Sequence, residues 1–241
     1  MATFYQPDIA DGANFLGEEE SRHCAKVLRL RPNDTITVVD GKGTYYQSVI
    51  QETSPKRCTF SIVRQQHQAA FPYSIHLLIA PTKNLDRTEW MVEKLTEIGV
   101  DSIQFVECDY SERRVLKLER LQRKAVSAMK QSGRALLPAL VEIHPLTSGQ
   151  LQLPADSSKF IAHIDENHHQ PLSKLATTHT SYVLLVGPEG GFSPREITWA
   201  TEQNFQMVSL GQYRLRTETA GLVGCQTLHT VNQLYSLGNS S

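Results

Sequence analysis

The residues best suited to chemistry lie in two stretches near the C-terminal end of the 241-residue chain. In the first, the apolar run Leu184-Leu185-Val186 breaks into Gly187-Pro188-Glu189-Gly190-Gly191. Glycines at such a break let backbone approach a ligand closely and expose N–H groups to it. In the second, Met207-Val208-Ser209-Leu210 reaches Gly211, and Arg214, Arg216, Thr217, Glu218 and Thr219 follow within a few residues. Arg and Glu side chains this close together are more than a turn needs. Each stretch also has a purely structural reading. The first can be a tight β–α turn, and it matches neither G-x-G-x-x-G nor a P-loop. The second can be a helix cap, with Thr217 or Thr219 as the cap and Glu218 on the dipole. Taken together, two consecutive strand–loop–helix junctions look like the walls of one small-molecule pocket.

The elements that position these loops can be read from the pattern. After the first loop, Ser193, Pro194 and Glu196 spell a helix start, with cap, first-turn proline and capping-box carboxylate. After the second, an apolar helix runs from Ala220 to Leu237. Upstream, Ile75 to Ala80, Ile103 to Val106, Phe160 to Ile164 and Tyr182 to Val186 read as strands. Asp86 to Ile98 reads as a helix closed by Gly99, with Trp90, Leu95 and Ile98 among its apolar positions. A longer helix is expected from about Glu112 to Ser132, with Val115, Leu118, Leu121, Ala125 and Ala128 as its buried stripe. Alternating strands and helices predict an α/β domain with a mainly parallel sheet.

The N-terminal part reads differently. Thr35 to Val39, Thr44 to Gln51 and Cys58 to Gln65 are short strands, with a turn at Asp40-Gly41-Lys42-Gly43. A helix from Glu18 to Leu28 interrupts them, and the spacing suggests a small barrel. The polar stretch from Gln65 to Pro72 marks the boundary between the two patterns.

Bulk properties narrow the function classes. A net charge of −1 gives no global nucleic-acid signal, so any basic patch must be local. The four cysteines, Cys24, Cys58, Cys108 and Cys225, form no C-x-x-C pair and read as reduced core thiols. His163, His168 and His169 lie near Asp165 and Glu166 without ligand spacing, so no metal is expected. Met1 to Pro7 does not read as a signal peptide, and no apolar run approaches the ~20 residues of a membrane span. A cytoplasmic protein is expected.

Gly187-Pro-Glu-Gly-Gly-Phe-Ser, with Ser209-Leu210-Gly211 and Leu215-Arg216-Thr217-Glu218-Thr219-Ala220, resembles the RsmE family. These are the 16S ribosomal RNA uridine N3-methyltransferases of the SPOUT class. His23 with Val27-Leu28-Arg29 and Asp34, Lys94 to Gly99, and Gln131-Ser132-Gly133-Arg134 with Pro138 match further motifs in order. The chain departs from the family at Asn33, where glycine is usual, at Arg114, where serine is usual, and at Ser127, where glutamate is usual.

The resemblance implies an N-terminal PUA-like β-barrel over residues 1–70 that binds RNA. It implies a SPOUT α/β domain over residues 73–241, with a deep trefoil knot at about 182–235. S-adenosyl-L-methionine would be held by Gly187, Pro188, Glu189, Gly190, Leu210, Gly211, Leu215 and Thr219. Gln131 would stand nearby. Uridine N3 is a weak nucleophile until its proton leaves. Arg216 and Arg134 would stabilise the resulting anion, and Glu218 would be a base or cofactor contact. His23, Lys26, Arg29, Arg31, Arg113 and Arg114 would meet the RNA of the small ribosomal subunit, and the knotted domain would form a homodimer. Two other functions stay open: a non-catalytic RNA-binding ribosome assembly factor on the same fold, and a doubly wound enzyme for another nucleotide.

Overall fold

A computed structural model describes residues 1–163, 170–178 and 180–238, with side chains to 235. It divides into two compact units, one of residues 1–70 and 125–137, the other of residues 71–124 and 138–241.

In the first unit, strand β1 (Thr3–Tyr5) pairs parallel with β2 (Thr35–Val39), and helix α1 (Glu18–Arg22) lies between them in the chain. Strands β3 (Thr44–Glu52) and β4 (Thr59–His67) continue the sheet antiparallel, giving the order β1-β2-β3-β4. Alternation sends Ile36, Val38, Tyr46 and Ile50 inward, against Phe4, Leu16, Cys24, Cys58 and Phe60. Asp40 Oδ1 accepts from the Lys42 and Thr44 N–H groups at 2.7 and 3.0 Å, which fixes the β2–β3 turn. Past Arg22 the expected helix widens into a π turn over His23–Val27. Arg29 and Asn33 follow with positive φ, 53° and 74°. Asn33 thus adopts the left-handed conformation that glycine would otherwise supply.

The second unit is built on a parallel sheet. Strand β5 (Ser74–Ile79) leads to helix α2 (Leu85–Ile98) and then to β6 (Ser102–Glu107). Helix α3 (Leu118–Gln131) runs from this unit into the other. Then come β7 (Ala139–Pro145), β8 (Ser157–Ala162), short α4 (Leu172–Leu175), β9 (Ser181–Val186), α5 (Pro194–Glu202), β10 (Gln206–Val208) and α6 (Thr217–Gly238). Sheet order is β10-β8-β9-β5-β6-β7, every pairing parallel. Strands β5 and β9 are central and buried on both faces, as unbroken apolar runs require. On one face, Leu78, Val183 and Leu185 pack with Ala200 of α5 and with Phe205. On the other, α6 lies so close that a Cβ on Gly221 would stand 2.8 Å from Ile79 Cδ1, and one on Gly224 would overlap Leu184.

Helix α3 corrects the sequence reading. It begins at Leu118, not near Glu112, and Val115 is 74% exposed instead of buried in the stripe. Arg113 donates to the Lys83 and Thr82 carbonyls, at 2.6 and 3.2 Å, and Arg114 pairs with Glu107 at 3.1 Å. These tertiary contacts hold residues 113 and 114 outside the helix against their local propensity. Trp90 is likewise exposed, and α2 buries Thr88, Met91, Val92, Leu95 and Thr96. Strand β8 starts earlier than expected, and its expected end at Ile164 lies outside the described residues. Strands β1 and β7 and helix α4 carry no strong pattern and were not anticipated.

Candidate functional site

Strands β9 and β10 end on the same side of the sheet, and their loops enclose a cavity of about 760 Å³. That volume falls in the upper part of the roughly 300–1,000 Å³ typical of small-molecule sites. Ala162, Val186, Phe192, Val208, Leu210, Leu215 and Ala220 give it an apolar wall. His163, Glu189, Gln212, Tyr213, Arg214, Arg216 and Thr217 supply the polar part.

The loop after β9 is fixed from several directions. Ser193 Oγ accepts from the Glu196 N–H, and Glu196 Oε2 accepts from the Ser193 N–H at 2.8 Å, completing the capping box. Glu196 Oε1 also accepts from the Asp109 N–H at 2.9 Å, so one buried carboxylate joins this loop to the end of β6. Asp109 in turn accepts from Ser193 Oγ at 2.5 Å and from Arg195 at 2.8 Å. The Ser193 hydroxyl foremost, then the Arg195 guanidinium, hold the Asp109 carboxyl below its ordinary pKa, against desolvation. Burial, with Glu196 alongside, pushes the Cys108 thiol up, so it stays protonated and inert. Two of the loop's glycines answer to protein packing. A Cβ on Gly187 would stand 2.9 Å from the Phe192 ring, and one on Gly190 would stand 2.8 Å from Tyr110 Cβ. Gly191, at φ 77°, lines the cavity with nothing within 4 Å of its Cβ position.

Two contacts tie the loops to each other. Thr217 Oγ1 donates to the Gly187 carbonyl at 3.1 Å, and Arg214 donates to the Glu189 carbonyl at 2.7 Å. The Lys83 N–H also reaches Glu189 Oε1 at 3.3 Å.

Among the residues expected to hold a cofactor, Gly187, Pro188, Glu189, Leu210 and Leu215 line the cavity. Gly190 and Gly211 belong to the same loops, and Thr219 lies half-buried in the first turn of α6, none of them in the lining. Arg216 faces the cavity. Glu218 does not: it is buried, 3.7 Å from Arg87 at the start of α2. Arg134 belongs to the first unit, and Gln131 is exposed there. His23, Lys26, Arg29 and Arg31 are exposed on the first unit. Arg113 and Arg114 make the contacts given above. His163 enters the sequence reading only within the rejected metal grouping, and Phe192, Gln212 and Tyr213 do not enter it as site residues. Phe192 follows the glycine loop directly and Tyr213 sits beside Arg214, so nearness to the loops was the available signal.

The four cysteines are free and buried. No group of three His, Cys, Asp or Glu among the described residues could hold a metal. His168, His169, Asp165 and Glu166 lie outside those residues. No described helix is long and apolar enough to cross a membrane.

A mixed apolar and cationic cavity walled by the loops at the C-terminal ends of parallel strands lies where sheets of this kind bind small molecules. The RNA methyltransferase domain family matches residues 69–229, and an RNA methyltransferase PUA domain matches residues 16–63. The ribosomal RNA small subunit methyltransferase E of Aquifex aeolicus is 30% identical, over 91% of this chain and 95% of that one. Two crystal structures share the fold closely. A probable rRNA-methyltransferase from Porphyromonas gingivalis is 41% identical with a TM-score of 0.91, covering 98% of this chain and 100% of the other. The ribosomal RNA small subunit methyltransferase E from Neisseria gonorrhoeae, bound to S-adenosyl methionine, is 31% identical with a TM-score of 0.82, covering 96% and 98%. The chain belongs to this family of RNA methyltransferases, of the small-subunit methyltransferase E type.

Proposed function

We propose that this chain methylates N3 of a uridine in 16S ribosomal RNA of the small subunit, with S-adenosyl-L-methionine as donor. The observation that carries the reading is Arg216, a cation facing the cavity walled by the Gly187 loop, in a chain of this family. The cavity suits the donor. It offers an apolar wall for adenine and, at Gly191, open space where any other residue would place a Cβ. When bound, the donor supplies a methyl group already made electrophilic by its sulfonium.

The chain's residues supply the rest. Val186, Val208, Leu210, Leu215 and Ala220 would hold the adenine by packing. Gly187, Pro188, Glu189, Gly190 and Gly211 shape the loops around it, and Thr219 supports the start of α6. Arg216 stabilises the negative charge that develops on the uracil oxygens as N3 loses its proton. From the resemblance, Arg134 is a second candidate for that charge. Glu218 is turned to Arg87, so we assign it to holding the start of α6 rather than to proton removal. His23, Lys26, Arg29 and Arg31 would contact RNA phosphates, which makes binding salt-dependent. Arg113 and Arg114 would order the segment before α3 beside the RNA.

The family reading extends to architecture. The first unit would act as a PUA-like RNA-binding barrel. The C-terminal domain would thread residues from about 182 to 235 as a trefoil knot and dimerise through it. A ribosomal RNA substrate would make the enzyme cytoplasmic.

Mass spectrometry of ribosomal RNA nucleosides tests the reading. A strain without the gene should lack one N3-methyluridine, and the restored gene should return it. Full modification without the gene would overturn it.

A further inference from the structure

Tyr213 has no place in the roles assigned above. It lines the cavity, yet its side chain is 81% exposed. An exposed aromatic that also lines a site presents a flat apolar face with a polar tip to whatever enters there. The donor's adenine is not suited to that position. Its place is the desolvated wall of Val186, Val208, Leu210, Leu215 and Ala220, whereas the Tyr213 ring stands at the solvent side. Whatever covers the ring must therefore enter from outside, after or beside the donor.

The neighbouring charges narrow the chemistry of that visitor. Arg214 and Arg216 follow Tyr213 in the chain and both line the cavity. Arg214 is engaged at the Glu189 carbonyl, which pins the loop. The exposed Arg216 side chain makes no ion pair or hydrogen bond with another described residue. A flat aromatic surface next to an uncommitted guanidinium matches a nucleotide, whose base stacks while its oxygens or phosphate meet the cation. A base must also leave its stack before N3 becomes accessible, and an exposed aromatic ring offers a replacement surface.

We propose that Tyr213 is the stacking platform for the substrate nucleotide, holding the unstacked uracil at the cavity mouth beside Arg216. This rests on the uridine methyltransferase reading. It adds a residue that holds and orients the unstacked base and that makes no contribution to donor binding.

The test uses the full chain, small ribosomal subunits purified from a strain lacking the gene, and radiolabelled S-adenosyl-L-methionine. Tyr213→Leu keeps apolar bulk but loses the π face, while Tyr213→Phe keeps the ring. Stacking on an aromatic is worth enough that Tyr213→Leu should raise KM for the subunits roughly ten-fold or more. Donor affinity, read by calorimetry, should stay at the wild-type value, and KM for Tyr213→Phe should lie close to that of the wild type. Equal KM values for Tyr213→Leu and wild type would overturn the proposal. So would a loss in both variants, or a fall in donor affinity matching the fall in activity. Wild-type protein that binds the donor but leaves the subunits unmethylated would instead refute the underlying reaction, and that control is read in the same assay.

Discussion

The two loops that wall the cavity are built in opposite ways. The loop after β9 is cross-braced by a capping box, by the buried Glu196 carboxylate reaching Asp109, and by glycines packed against Phe192 and Tyr110. The loop after β10 has an exposed run from Gly211 to Arg214, held to its neighbour mainly by Arg214 and Thr217. On the proposed function the difference separates two tasks: the β9 loop, together with Leu210 and Leu215 at the half-buried ends of the β10 loop, receives the donor, and the exposed run between them forms a rim. A wall that receives a small donor gains from being fixed before binding, because less ordering entropy is lost at that moment. A rim that meets a macromolecule gains from presenting side chains outward, where they can still adjust.

The largest effect should come from the open loop. Arg216→Ala removes the cavity-lining cation that the proposed function assigns to the developing charge. Loss of one such donor typically costs about 10²–10³ in kcat. Donor affinity should change little, because the apolar wall is untouched. Single-turnover methyl transfer together with calorimetric donor titration checks both parts. A drop confined to donor affinity would move Arg216 to the other wall and erase the distinction between the loops.

The fixed loop should fail differently. Glu196→Ala leaves the buried Ser193 N–H and the part-buried Asp109 N–H without their acceptor. Unsatisfied groups of this kind, with a lost cap, cost about 2 kcal/mol of stability. Urea denaturation should show that loss, and donor affinity should fall with it. Glu196→Gln keeps one acceptor oxygen and should recover part of both. Unchanged donor affinity in a measurably destabilised Glu196→Ala would mean that the bracing serves the fold and not the site.

The same contrast explains what could be read from the sequence. Ser193, Pro194 and Glu196 spelled out a cap, and the structure forms it, because capping is a local arrangement of a few consecutive residues. Strands β5 and β9 were legible because burial on both faces leaves continuous apolar runs. The start of α3 was not. Arg113 and Arg114 are ordinary helix residues, but Arg113 is held by Thr82 and Lys83, some thirty residues back, and Arg114 by Glu107 across the loop that precedes it. Glycine was legible as a requirement but not in its cause. Gly187 and Gly190 make room for Phe192 and Tyr110, and only coordinates distinguish that from room for a ligand. Glu218 and Arg216 are two residues apart, yet one turns to Arg87 and the other to the cavity. Their residue types could not reveal that division.

Thr217 is where the two loops meet, and its hydroxyl is buried. Thr217→Val keeps the shape and removes the bond to the Gly187 carbonyl. A lost buried hydrogen bond of this type costs about 1 kcal/mol. Donor affinity should weaken several-fold, less than for Glu196→Ala, because the capping box still holds the β9 loop. An affinity loss as large as that of Glu196→Ala would mean that the open loop braces the fixed one as strongly as its own cap does.

The smallest effect concerns acid. The Asp109 pKa is depressed in the folded state, by the Ser193 hydroxyl first and Arg195 second. A depressed carboxyl adds stability that is fully present above its unfolded value of about 4 and is lost as pH falls through the lower folded value. The wild type should therefore lose melting temperature in that acid window partly through Asp109. Asp109→Asn has no such group to titrate, so its melting temperature should fall less steeply over the same window, from a slightly lower starting point at neutral pH. Differential scanning calorimetry from about pH 7 to pH 3 reads both slopes. Parallel slopes would show that the Asp109 contacts do not restrain the β9 loop, leaving Glu196 as its brace from β6.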